Sequence, residues 1–460
     1  MIIDAIFQRF IEKAPLPVMV RALLERTFHP ERLDAWFDQT ADAQYTRELL
    51  FSTLFELMSQ VVCGVRRSVH DAYQAADHIA TSVGAVYRKL ARVEPTTLTE
   101  LVRYSARESR AVMDALEYTR PEPFPGYVVK ILDGNALAAT EHRLKELRGL
   151  RAGALPGKAV VVYEPARNLM VDLFPCEDGH AQERSLLPAL VETVQRGEVW
   201  VGDRNFCVTD FLVGIAQRGA YFIVREHEQV RFTPQEAMRD RGRVETGTVA
   251  EQRVVLTRAG LPTLAVRRIA VRLDQPTREG DTTVYLLTNL PPADAPATVV
   301  ARVYRGRWRL ETAFQILATA LTSEIDTLAY PKAALFGFAV AVVTYNVLAT
   351  AKAALAQVHG ADTIEREFSD YYLAAELDAV AAGMAVALPG QAWHVFRTLP
   401  LTEFVAFLLT LAQHVRLARF RKHPRGPKKP QPKRSYDPKH PHVSTAQLIA
   451  ARNYTSRGEN

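Results

Sequence analysis

Residues 198–226 read EVWVGDRNFCVTDFLVGIAQRGAYFIVRE. The apolar run EVWVGD (198–203) gives way to NFCVTDFLVGIAQRG with helical spacing, and then to a second apolar run, AYFIVRE (220–226). This is strand, helix, strand. Upstream, YVVKILDG (127–134), KAVVVYEP (158–165) and LMVDLFPC (169–176) are three β-rich runs with turn-like links, which predict an antiparallel meander. HAQERSLLPALVETVQRG (180–197) has helical periodicity. Together these segments predict a mixed α/β sheet with helices covering it.

On either side the patterning changes. Residues 1–122 are helical throughout, with turn signals at Pro15, Pro17, Pro30, Pro95 and Pro121. Within them, residues 66–93 read as two short helices joined by a tight connection, with Ser68 and Ser82 as N-caps. The second carries Tyr87, Arg88, Lys89 and Arg92 outward, which suits a helix-turn-helix that meets DNA. Residues 227–297 form a β-rich insertion (RVVLTRA, TLAVRRIAVRL, TTVYLLTNL) after the last sheet strand, so the core comprises 123–226 and 298–325. A helical region over 326–420 and a basic, Pro-rich tail over 421–460 complete the chain.

Composition narrows the class. At 460 residues, 48% hydrophobic and 23% charged, the chain is an ordinary soluble globular protein of more than one domain. Cys63, Cys176 and Cys207 lack metal-type spacing and read as reduced thiols of a cytosolic protein, so structural zinc is excluded. MIIDAIFQRFIEK at the N-terminus is an amphipathic helix and not an export signal. Ala333 to Ala351 has no charged residue over nineteen positions, but Gly337, Thr344, Tyr345 and Asn346 point to a buried helix and not to a membrane span. Between Arg416 and Lys439 lie ten basic residues and one acid, Asp437, so this segment carries +9 of a net +6 and the remainder sums to −3. Such arms commonly neutralise nucleic-acid phosphates.

The chemistry concentrates in three acids. Asp133 ends the apolar strand VVKIL and Asp203 ends VWVG, and strand-end carboxylates of α/β sheets lie where ligands bind. Each also suits a plainer role, Asp133 in an Asp-Gly turn and Asp203 as a helix cap. The third acid, Glu311, lies in ARVYRGRWRLETAFQILATAL (301–321). Read as one helix, this stretch puts Tyr304, Arg307 and Glu311 within ~60° on a single face, beside an apolar stripe of Leu310, Phe314, Leu317 and Leu321. Alone, Arg307 and Glu311 are an ordinary i, i+4 ion pair. Carboxylates without His or Cys are the ligand set for Mg²⁺ or Mn²⁺. Two such ions held close together can activate an attacking oxygen and stabilise the leaving 3′ oxygen in phosphodiester cleavage.

The order of LDGN, VGDRNF, a β insertion and YRGRWRLETAFQIL resembles bacterial insertion-sequence transposases of the DDE type. More narrowly, it resembles the group with a Tyr-x2-Arg-x3-Glu-x6-Lys motif, the insertion-sequence-four family. The resemblance implies a ribonuclease-H-like catalytic domain in which Asp133 bridges two Mg²⁺ ions, with Asp203 and Glu311 holding one each. It implies that Tyr304 and Arg307 grip DNA phosphates, with Arg204 a weaker candidate. It also implies hydrolysis at transposon ends, attack of the freed 3′-hydroxyl on target DNA, and a homodimer in the synaptic complex, in the bacterial cytoplasm at the nucleoid. The final lysine of the motif is missing: Ala318 stands there, with Gln315 the nearest polar residue. The insertion lacks tryptophan, so a ring for stacking an extruded base would be Tyr285, Phe232 or another. The alternatives are a transposase-derived DNA-binding protein that no longer cuts, and a nuclease that cuts without joining.

Overall fold

Ten strands form one continuous sheet in a computed structural model that describes residues 5–43, 48–277, 280–423 and 441–458. The strands are β1 (Val128–Ala136), β2 (Lys158–Glu164), β3 (Leu169–Cys176), β4 (Glu198–Gly202) and β5 (Tyr221–Arg225), followed by β6 (Phe232–Pro234), β7 (Arg239–Val244), β8 (Gly247–Leu256), β9 (Leu264–Leu273) and β10 (Thr283–Thr288). Their order is β3-β2-β1-β4-β5-β10-β9-β8-β6, with β7 pairing β8. β1, β2 and β3 are the expected antiparallel meander, although residues 137–157 make the first link long. β4 lies parallel between β1 and β5 and is buried along its whole length, which is why it reads as a continuous apolar run.

The β-rich insertion does not stand apart from this sheet. β10 pairs antiparallel with β5 through Arg225, Val224 and Ile223, so β5 is not the last strand. An apolar strand such as YFIVR cannot be left as an open edge, and β10 satisfies its free backbone groups. Sequence patterning reports that a segment is β-rich; it is silent on which edge that segment covers.

Five helices matter to the site: α1 (Pro95–Ala115), α2 (Thr209–Gln217), α3 (Ala297–Arg305), α4 (Trp308–Thr319) and α5 (Pro331–His359). α5 is the apolar helix expected to be buried. By length and composition it could cross a membrane, but its apolar window is wholly enclosed by the rest of the chain. Asn346, fully buried on α5, accepts a hydrogen bond from Met170 N (2.9 Å) and donates to Met170 O (2.8 Å) and to Ser105 Oγ of α1 (2.9 Å). One amide thereby ties α5 to β3 and α1.

Two flanking expectations change in detail. Ser68 and Ser82 do cap helices Val69–Gln74 and Val83–Leu90, accepting from Asp71 N and Ala85 N. The link between these helices spans residues 75–82 and is not tight. Of the four residues expected outward, only Arg88 and Arg92 are exposed. Tyr87 packs against the core and the Lys89 ammonium donates to Leu49 O. The core of the basic tail, residues 424–440, lies outside the described residues. The end of that tail folds back onto the sheet region: Val443–Ser444 pairs in parallel with Ala154–Leu155, and a helix follows over Thr445–Gly458. Gln447 bonds Asp178 and Arg452 pairs with Glu146.

Candidate active site

Register brings the first two carboxylates level. The parallel pairing of β1 with β4 ends at Ile131 opposite Val201, and Asp133 and Asp203 each lie two residues further on. Alternation along a strand puts them on the face of Ile131 and Val201, both of which belong to the core under α5. Asp133, however, does not begin a turn. β1 runs on to Ala136, pairing Asp133 with Val161 and Gly134 with Val160, so Asp-Gly-Asn is strand interior. Asp203 does act as a cap, its Oδ1 accepting from Asn205 N at 2.8 Å.

The third carboxylate arrives on a helix that is interrupted. Residues 301–321 do not form one helix: α3 ends at Arg305, and the chain turns through Gly306 and Arg307 before α4 begins. Within the turn the bonds run from Arg309 N to Gly306 O and from Leu310 N to Arg307 O, both 3.0 Å and three residues apart. Leu310, Ala313 and Leu317 are buried and hold α4 to the core, each leucine contributing ~1.5–3 kcal/mol. Glu311 is left at the edge of that contact, exposed.

Arg307 closes the arrangement. Its Nη1 donates to Asp133 Oδ2 at 3.1 Å and its Nη2 to Glu311 Oε1 at 2.7 Å. Its Nε is buried with no hydrogen-bond partner. Burial opposes the guanidinium charge, yet Asp133, Tyr304, Glu311 and Asp203 together raise its pKa. Asp133 is pushed up to about 7, first by burial and then by Asp203 and Glu311, against the pull of Arg307. Tyr304, half-buried in the same place, is raised to about 12 by burial, with Asp203 adding to the shift and Arg307 and Arg225 opposing it. Asp133, Asp203, Glu311, Tyr304 and Arg307 are therefore one electrostatic cluster. Arg204 is apart from it. Exposed beyond Asp203, it acts on Asp281.

Other residues belong to this region without having been expected. Glu183 opens the 3₁₀ turn Glu183–Leu186 and lies over Gly134, with Asn205 Nδ2 donating to its Oε2 at 3.4 Å. Burial raises its pKa, as does Asp203. The one signal for it in the sequence is Gly134 itself, because glycine inside a strand marks close approach of another group. Trp308 is 66% exposed in a groove with Arg302, Arg305, Arg309 and Thr312. Tyr285 and Phe232 are already covered by the Arg268 guanidinium, 3.8 and 4.9 Å from their ring centres. Ala318 and Gln315 are exposed on α4.

The donor set is oxygen alone, which is right in kind for Mg²⁺ or Mn²⁺. Among the described residues no three Asp, Glu, His or Cys side chains converge on one point as they stand. Each carboxylate accepts from a donor: Asp133 from Gly134 N and Arg307, Asp203 from Asn205 N, and Glu311 from Arg307.

Asp133 and Asp203 thus lie level, beside a helix that brings a third acid and an arginine. Residues 125–342 match the family model described as the transposase DDE domain. This span runs from the strand carrying Asp133 through the helix carrying Glu311. The match covers a little under half of the chain and supports, over that span, similarity to a DDE transposase. A search of the curated proteins found no match.

Proposed function

We propose that the protein is a Mg²⁺-dependent transposase of the insertion-sequence-four group. It cuts DNA at the ends of an insertion sequence and joins the freed 3′-hydroxyl to target DNA. The observation that carries this reading is the cluster of Asp133, Asp203 and Glu311 around Arg307. The strand order β3-β2-β1-β4-β5 supports a ribonuclease-H-like core. Asp133, Asp203 and Glu311 would hold two Mg²⁺ (or Mn²⁺) ions, which when bound supply Lewis acidity to the attacking and leaving oxygens.

The chain's own residues do the rest. Arg307 compensates Asp133 and Glu311, and its guanidinium, whose Nε has no partner, would donate to a phosphate oxygen. Tyr304, with its hydroxyl kept protonated, donates beside it. Arg204, on the rim, is at most an outlying phosphate contact. The helical region 1–122, with Arg88 and Arg92 exposed, would bind the terminal inverted repeats, and a homodimer would pair the two ends. The protein works in the bacterial cytoplasm, at the nucleoid. Ala318 favours a second reading: where the motif lysine is lost, a protein can bind ends without cutting them.

Purified protein, Mg²⁺ and DNA bearing the element's terminal repeats separate these readings. Joined products support the transposase, binding without cleavage the second reading, and cleavage without joining a nuclease. Asp133→Asn, Asp203→Asn and Glu311→Gln should each abolish cleavage while leaving DNA binding largely intact. Normal cleavage by any of the three would remove that residue from the metal site.

A further inference from the structure

We propose that Glu183 is a fourth carboxylate of the catalytic centre, helping to hold the divalent cation on its Asp203 side; this rests on the metal-dependent reading above. Its placement is specific. A Cβ on Gly134 would lie 2.1 Å from Glu183 Oε1 and 2.3 Å from its Cδ, so any larger residue there would push the carboxylate aside. Gly134 is not among the glycines with positive φ, and its backbone does not otherwise require glycine. The residue after Asp133 thus leaves room for the Glu183 carboxylate in the position it occupies.

Asn205 makes the second link. Its backbone N–H donates to Asp203 Oδ1 at 2.8 Å and its side-chain amide to Glu183 Oε2 at 3.4 Å. Glu183 therefore lies over Gly134, next to Asp133, and bonds Asn205, two residues beyond Asp203, while Glu311 approaches from α4. The charges are unevenly compensated. Arg307 serves Asp133 and Glu311, whereas no Lys or Arg among the described residues forms an ion pair with Glu183. Lys158 acts on it from further off and offsets only part of the effect of burial and Asp203. A half-buried carboxylate facing a like charge is unfavourable unless something positive joins it. Oxygen donors in that number suit a hard divalent ion.

The test uses the full-length protein and Mn²⁺ alone, with free Mn²⁺ followed by electron paramagnetic resonance. Glu183→Gln should weaken Mn²⁺ binding at least about tenfold, as loss of a supporting group at a metal centre commonly does. In EDTA the same variant should melt no lower than the unchanged protein, because a repulsive charge has gone; a merely structural glutamate would lower the melting temperature. Gly134→Ala, which displaces the carboxylate, should weaken Mn²⁺ to a similar degree, and should destabilise far less when Glu183 is also alanine. Unchanged Mn²⁺ affinity in Glu183→Gln, with affinity lost in Asp203→Asn, would overturn the inference and leave the metal centre standing. If the unchanged protein takes up no Mn²⁺, the metal centre and this inference both fall.

Discussion

Gly134 shows how a single residue can be read two ways. Beside Asp133 it looks like half of an Asp-Gly turn, but the strand continues to Ala136 and the glycine makes room for Glu183. Asp133 and Glu311 stand out as candidates in the sequence, because a carboxylate directly after an apolar run and one on a basic helix are unusual. Glu183 does not, because one acid in a segment read as helical gives no sign that it lies over Gly134. A residue-scale prediction concerns Glu122, which accepts from Val129 N at the start of the strand carrying Asp133. Burial raises its pKa from 4.5 to about 7, with Glu164 adding to the shift. The folded state thus binds the proton more tightly than the unfolded state. This group's contribution is fully present below about pH 4.5 and is lost as the pH rises through about 7. Glu122→Gln should therefore raise the melting temperature at pH 8 and leave it unchanged near pH 4. An equal effect at both values would show that the carboxyl is not desolvated.

At the scale of elements, the break between α3 and α4 is what a helical wheel over 301–321 could not contain. No proline marks it; Gly306 and the short-range bonds around Arg307 end one helix and start the next. Tyr304, Arg307 and Glu311 still converge, because the buried Leu310 and Leu317 fix α4 independently of α3. α3 is itself anchored by Arg267, which donates to Leu290 O (3.0 Å) and Ala295 O (2.9 Å) just ahead of it. α5 carries the clearest test. Replacing Asn346 with Leu keeps the branched shape but strands Met170 N and Met170 O in the interior. The loss should be about 3 kcal/mol, since each buried unsatisfied polar group costs ~1–3 kcal/mol. Urea unfolding would measure it, and a loss below about 1 kcal/mol would mean those groups find other partners.

At the scale of the whole molecule, charge is segregated. Six basic residues lie within 424–440 (Arg425, Lys428, Lys429, Lys433, Arg434 and Lys439), with Asp437 the one acid. The chain is fixed to the folded body on both sides of this segment. Phe420 is buried and Lys422 N donates to Glu367 O on one side, and Val443 N donates to Gly153 O on the other. A truncation would therefore remove folded structure along with charge. Changing the six residues to glutamine in the full chain avoids that. DNA affinity should fall for all sequences, and the dependence of log affinity on log salt should become shallower by about 0.9 for each phosphate no longer neutralised. An unaltered slope would make the segment a bystander.

From the sequence alone came the element types, the burial of α5, the β-rich character of 227–297 and the choice of three acids as candidates, because periodicity and residue chemistry are local properties. Tertiary structure alone decided that the insertion extends the main sheet through β10, that the motif helix is broken, and that Glu183 sits over Gly134. Each of these depends on which surfaces meet across long separations in the chain. Pairing partners and close approach are set by packing between elements, and no single element records them.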